Sequence, residues 1–167
     1  SNSTHAEEVK KVKPKQFIEA FIAEQNMIGM ALGLSIKGFN VFASTFAAFL
    51  SRAHDQIRMA AISSADMTIC GSHVGVSVGE DGGSQMGLED IAIFRDLPDS
   101  VVFYPSDAVS TEKLVVEAAK EKSKGLRYIR TTRPKTPVLY DVKDRFKIGD
   151  FKVLRKNKKD RVVLIGS

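Results

Sequence analysis

Apolar and polar positions along this chain fall into blocks whose period switches between about two and about 3.6 residues. FIEAFI (17–22) reads as a buried strand, and EQNMIGMALGLSI (24–36) as a helix with small residues Gly29, Ala31 and Gly33 for close packing. KGFN (37–40) is a turn and VFAST (41–45) a strand. AAFLSRAHDQIRMAAIS (47–63) predicts one long amphipathic helix, and MTICGSH (67–73) a strand. VGVSVGEDGGSQ (74–85) has no regular period and predicts a glycine-rich loop. LEDIAIFRDLP (88–98) predicts a helix and VVFYPS (101–106) a strand. Asp107 or Ser110 then caps a helix running to about Lys122, and LRYIRTT (126–132) is a further strand.

Strands that alternate with helices predict parallel pairing through right-handed helical crossovers. The expected fold is therefore α/β: a doubly wound, mainly parallel sheet with helices on both faces. Ligands of such sheets sit at the carboxyl ends of the strands. Glu24, Thr45, Phe46, His73, Pro105, Ser106, Asp107, Thr131, Thr132 and Arg133 fall there. At the other extreme of the chain, VVLIG (162–166) reads like text that opens a new α/β unit. The expected organisation is one domain over residues 1–140 that lacks its N-terminal part. Residues 141–167 would be a linker and the first strand of a following, truncated domain.

Composition narrows the classes. A chain of 167 residues has room for one domain with a sizeable core. Apolar content of 43% and charged content of 27% are ordinary for a globular protein. No run of about 18 apolar residues is present to span a membrane. SNSTHAEEVKKVKPKQ (1–16) is polar and lacks the apolar centre of a signal peptide. The single cysteine, Cys70, lies in the apolar run MTIC and reads as a structural thiol in a reducing, cytoplasmic setting. A net charge of +5 is a feature of nucleic-acid binders, but residues 141–167 alone carry nine Lys or Arg against four Asp or Glu. The rest of the chain is neutral. RKNKKDR (155–161) has no interleaved aromatic residues for base stacking and reads as a solvated turn between two strands. Neither nucleic acid nor membrane is expected as a partner.

Several residues carry candidate chemistry. Glu24 sits where an apolar run meets a helix; an acid in a first turn is often there only for the helix dipole. Phe46 and Phe49, three apart, share one face and read as core or as a ring-binding wall. His73 ends a strand before the glycine-rich loop. Arg130 alternates with Tyr128 as a sheet-face residue would, which leaves Arg133 as the better ligand candidate. Asp81 lies among glycines that permit positive φ. Glu89 and Asp90 open a helix, where dipole complementarity is a sufficient explanation.

FIAEQNM (21–27), STFAAFLSRAHDQIR (44–58), GSHVGVSVGEDGGSQMGLED (71–90) and YIRTTRP (128–134) together resemble the transketolases, specifically their middle, pyrimidine-binding domain. The GEDG, SQM and LED pieces are similar to the animal-like branch. The resemblance implies a thiamine diphosphate enzyme that moves a two-carbon ketol unit between phosphorylated sugars in the pentose phosphate pathway. Glu24 matches the acid that shares a proton with the pyrimidine N1′ of the cofactor. A dry pocket would raise the pKa of such a carboxyl and suit it to that role. Phe46 and Phe49 match aromatic walls of the aminopyrimidine pocket, and Arg52 a position bordering the same ring. Ser3, His73 and Arg133 match phosphate-binding positions. Asp81 matches the acid that bonds a hydroxyl of the acceptor sugar. Gln85 matches the position facing the donor's carbonyl, where other branches have a titrating His and this chain does not.

The same resemblance implies something missing. The GDG segment, with the Asn that follows it, binds Mg2+ and the diphosphate in this superfamily, and this chain has no such segment. In transketolases it lies in the preceding domain and reaches the pyrimidine domain of the other subunit. The chain is therefore expected to supply half of a composite site, with no metal ligand of its own, as part of a homodimer or beside a complementary diphosphate-binding domain. Alone, it is expected to be inactive. Two other readings stay open: another thiamine diphosphate enzyme such as deoxyxylulose phosphate synthase, and a noncatalytic α/β interaction domain.

Overall fold

The structure is a computed structural model that describes residues 2–121 and 125–166; the expected helix end at Lys122 lies outside the described residues. A short helix, α1 (Glu7–Val12), precedes α2 (Glu24–Ile36) and strand β1 (Val41–Phe46). Then come α3 (Ala47–Leu50), α4 (His54–Ile62), β2 (Asp66–Ser72), α5 (Asp90–Arg95), β3 (Val101–Phe103), α6 (Ala108–Lys120) and β4 (Gly125–Arg130). The four strands are parallel, in the order β1-β2-β4-β3. This is the α/β architecture expected from the alternation.

Two hydrophobic clusters lie on opposite faces of the sheet. Ile28 and Ala31 of α2, Leu50 of α3, Ile57 and Ala60 of α4 and Phe94 of α5 pack with Ala43, Met67, Ile69, Leu126 and Tyr128 of the strands. On the other face, Leu114, Val115 and Ala118 of α6 pack with Phe103, Ile129 and Cys70. Successive residues on a strand point to opposite faces, so Tyr128 and Ile129 feed different clusters. Burial pushes the Cys70 thiol up to about 12, which leaves it protonated and unreactive.

Buried charge ties the elements together. Asp90, 1% exposed, accepts from the Tyr128 hydroxyl at 2.7 Å and from Arg130 Nε at 2.8 Å and Nη2 at 3.2 Å. Helix-dipole complementarity, expected to suffice for Asp90, is thus the smaller part of its role: it neutralises a buried arginine. Arg130 also lies over the Tyr104 ring at 4.1 Å. On the opposite face Arg127 bonds Thr68 and Asp66.

Several expectations need correction. FIEAFI forms no strand: residues 17–22 are irregular, Ile22 is 85% exposed and Phe21 has φ 52°. A strand must pair its backbone groups with a neighbour, and this segment has none among the described residues. The Glu19 side chain instead accepts from the Phe21 amide at 3.2 Å, a local alternative to a ladder. VVLIG (162–166) is likewise exposed and irregular. Residues 157–160 do turn, with the Asn157 amide donating to Asp160, but no strands flank them. The long helix expected over 47–63 breaks into α3 and α4 through a tight turn at Ser51–Ala53, where the Ser51 hydroxyl donates back to the Ala48 carbonyl at 2.7 Å. β3 stops at Phe103, two residues before Pro105, which has no amide to donate to a ladder. Of the three small residues expected to let α2 pack closely, only Ala31 is buried; Gly29 and Gly33 are exposed, and a Cβ at either would meet nothing.

Asp107 and Ser110 both cap α6. Asp107 Oδ1 accepts from the Ser110 amide at 2.7 Å while the Ser110 hydroxyl accepts from the Asp107 amide at 3.0 Å. Asp107 Oδ2 accepts from the amides of Leu139 at 2.7 Å and Tyr140 at 3.1 Å, which moors the segment after β4 to the helix. Burial alone would raise the Asp107 pKa; the Ser110, Leu139 and Tyr140 donors outweigh it and hold the carboxyl at about 2.

Asp107→Ala should cost about 2 kcal/mol in urea unfolding, through one cap and two orphaned amides. Because the folded-state pKa is depressed, the Asp107 contribution is present above the ordinary carboxylate range and is lost as pH falls towards about 2. Asp90→Asn, which leaves Arg130 buried without its counter-charge, should cost about 3–5 kcal/mol in the same assay.

Candidate active site

The register of the sheet decides which side chains meet. Phe46 stands opposite Ser72, and Gly71 opposite Arg130, so β1, β2 and β4 finish side by side. The ladder runs on past the strands: the Thr131 amide donates to Gly71 O at 3.0 Å and the Val74 amide to Thr131 O at 3.2 Å. His73, between them, leaves the strand with φ 61°. Its ring stacks on Phe46 with centroids 3.8 Å apart, and Phe46 in turn stacks on Phe49 at 5.4 Å.

Glu24 begins α2 and is 4% exposed. Its Oε2 accepts from Arg52 Nη1 at 3.0 Å, and its Oε1 from the Thr45 hydroxyl at 3.3 Å. Arg52 also lies 5.7 Å from the centre of the Phe49 ring. One buried carboxylate, two stacked phenyl rings and a half-exposed guanidinium thus form one group. The Glu24 side chain makes no cap hydrogen bond to the α2 backbone, so it is not a conventional N-cap.

A second group lies beside it. Ser3, Thr4, His5, Ser72, His73, Thr131, Thr132 and Arg133 line a cavity of about 290 Å³. The residues expected to bind phosphate, Ser3, His73 and Arg133, therefore share one pocket. Its lining offers hydroxyls, imidazoles and a guanidinium and contains no carboxylate, a donor set suited to an anion. Arg133 Nη1 donates to Asp81 at 2.9 Å and to Val78 O at 2.9 Å, so the arginine at the end of β4 holds down the glycine-rich loop. Asp81 is thereby an ion-pair partner in this conformation, and Arg133 rather than Arg130 faces the cavity. Burial lowers the His73 pKa, Arg133 lowers it further and Asp81 pulls it back up. Ser72 Oγ lies 3.0 Å from His73 Nδ1; if it donates there, Nε2–H is left for a ligand.

The glycine-rich loop forms two short 3-10 turns, Val76–Asp81 and Gly83–Gln85. It is laid against α3 because Gly87 abuts Ala47, where a Cβ would collide. Gln85 is half-buried and makes no side-chain hydrogen bond to another described residue. Among the described residues no cluster of three or more His, Cys, Asp or Glu could hold a metal ion. Thr4, His5 and Ser72 had no signal in the sequence beyond adjacency to Ser3 and His73, and Thr45 only its place at a strand end.

The sheet, the buried acid beside stacked rings and the anion pocket describe an α/β domain with a ligand cleft at its strand ends. Residues 1–138 match the family model described as transketolase, pyrimidine binding domain, and the chain belongs to this family. It is 58% identical to transketolase-like protein 2 of Mus musculus and 54% identical to transketolase of Homo sapiens, each over 99% of this chain. The chain spans 26% of the length of either. Among solved structures it resembles a split gene transketolase, described as an inactive β4 tetramer, with a TM-score of 0.80 and 37% identity over 93% of this chain and 50% of that one. A mutant transketolase from Pichia stipitis aligns with a TM-score of 0.63 and 28% identity over 70% of this chain and 17% of that one. No helix among the described residues is long and apolar enough to cross a membrane.

The His73 environment yields a sign-specific expectation. Arg133→Gln should raise the imidazole pKa and Asp81→Asn lower it, as read from the ring proton shifts in an NMR titration. In the wild type, a lowered folded-state value means that stability falls as the solution is acidified below about 6.5, the ordinary imidazole value.

Proposed function

We propose that this chain forms the pyrimidine side of a thiamine diphosphate site in a transketolase, which transfers a two-carbon ketol unit from a ketose phosphate to an aldose phosphate. The observation that carries the proposal is Glu24, a buried carboxylate set beside the Phe46 and Phe49 rings and a short way from a pocket built for an anion. The residues fit the pyrimidine end of the cofactor: a flat apolar ring needs aromatic walls, and a ring nitrogen that shares a proton needs an acid shielded from water. They offer nothing to its diphosphate end. Mg2+ and the diphosphate are assigned to a complementary domain, on a second copy of the same protein or on a partner chain. When bound, thiamine diphosphate supplies the electron sink for breaking a carbon–carbon bond beside a carbonyl.

Each side chain then has a task. Glu24 holds or gives up a proton at the pyrimidine N1′, and Thr45 fixes the rotamer of its carboxyl. Arg52, which bonds Glu24, must swing off the carboxylate to border the ring, as its half-exposed position permits. Ser3, His73 and Arg133 bind the sugar phosphate at the far end of the cleft. Asp81 exchanges its ion pair with Arg133 for a substrate hydroxyl, and Gln85 faces the donor carbonyl as a neutral hydrogen-bonding group. The chemistry belongs to the cytoplasmic pentose phosphate pathway.

The test uses the chain within its complete transketolase, with thiamine diphosphate and Mg2+, and assays ketol transfer from xylulose 5-phosphate to ribose 5-phosphate. Glu24→Gln should lower kcat by at least about 100-fold, the scale of a lost proton-transfer group. Unchanged turnover would remove Glu24 from the chemistry. Calorimetry of the 167-residue chain with thiamine diphosphate should register weak binding or none; tight binding would refute the half-site assignment.

A further inference from the structure

The anion pocket contains one residue for which neither motif nor spacing gave a role. His5 lines it together with Ser3, His73 and Arg133. It is held there by local geometry: residues 2–4 form a 3-10 turn, and His5 follows with φ 55°, a conformation in which His is enriched. Its carbonyl accepts from the Glu8 amide at 3.2 Å, which joins the turn to α1. The side chain is exposed and free to meet a ligand from the solvent side of the pocket.

The charge balance of the pocket calls for such a group. Arg133 is a full positive charge, but it is shared with Asp81 at 2.9 Å. Burial and Arg133 disfavour the charged form of His73, against a smaller opposing pull from Asp81. The hydroxyls of Ser3, Thr4, Ser72, Thr131 and Thr132 donate without adding charge. A phosphate monoester carries close to two negative charges at neutral pH, so one shared guanidinium leaves room for further donors to it. Two acids follow His5 in the chain, Glu7 and Glu8 at the start of α1, and Glu8 is paired to Lys11.

We propose that His5 is a further ligand of the anion in this pocket, meeting it from the solvent side. This rests on the phosphate-pocket reading above and adds to it a second imidazole with a distinct task. His73 supplies a donor on the inner side, and His5 a donor at the mouth. Substrate grip then draws on a residue outside the carbon–carbon chemistry.

The probe is sulfate, followed at a fixed pH by NMR of the His5 and His73 ring protons in the 167-residue chain. Added sulfate should shift both sets of ring protons along one binding curve. His5→Gln should keep the fold and weaken sulfate binding roughly fivefold, the scale of one lost hydrogen bond. Arg133→Gln should weaken binding as well. If His5→Gln binds sulfate as tightly as the wild type while Arg133→Gln still weakens binding, the role of His5 is overturned and the pocket stands. If the wild type binds no sulfate, or Arg133→Gln has no effect, the phosphate-pocket reading falls, and His5 with it.

Discussion

The rest of the cleft depends on one buried carboxylate that is not itself proposed to do chemistry. Asp90 takes the Tyr128 hydroxyl and two guanidinium nitrogens of Arg130, all at the carboxyl end of β4. Asp90 is also the first residue of α5, at the exit of the glycine-rich loop. The entrance of that loop is fixed at Val74, whose amide joins the β4 side of the ladder through Thr131. Arg133, three residues beyond Arg130, then grips the loop from within at Val78 and Asp81. A segment with four glycines between residues 74 and 85 would otherwise be costly to order. Here it is anchored at both ends and in the middle by a single strand and its extension.

That arrangement lets the two halves of the cleft share parts. Phe46 closes β1 and stacks on His73 of the anion pocket and on Phe49 of the Glu24 group. Parallel neighbours lie about 4.8 Å apart, so groups at the ends of β1, β2 and β4 are within reach of one bound molecule. Glu24 enters from a helix packed on the same face, and its acid is turned inward because Ile28 and Ala31 bury that side of α2. The acid is buried and the rings are half-buried, while the anion pocket beside them is open to water. This polarity matches a ligand with an apolar ring at one end of the cleft and a charged group at the other.

Much of this was legible beforehand, for reasons tied to particular residues. The helix at 24–36 and the strands at 41–46 and 66–72 carry strong apolar periodicity and pack on both sides, so pattern and structure agree. Ser3, His73 and Arg133 were readable as a group only through the resemblance, since residues so far apart in sequence leave no spacing signal. FIEAFI shows the limit of pattern: its apolar residues are suited to a strand, but a strand is a property of two segments, and no described segment pairs with it. Ser51 shows another, because one hydroxyl bonding back to the helix breaks a run whose periodicity is unbroken. Asp90 was underestimated for a similar reason. A local explanation was available, and the arginine that demands the charge lies 40 residues away in the chain.

His73 brings stability and recognition into opposition at one backbone position. A left-handed φ of 61° is strained for a residue with a Cβ, by about 1 kcal/mol. Glycine would relieve that strain, and asparagine would reduce it. Neither would give Phe46 its stacking partner or the pocket its imidazole. Selection on backbone strain alone would therefore drive this position away from histidine. A domain relaxed in that way would have lost the ring stack and the pocket imidazole together.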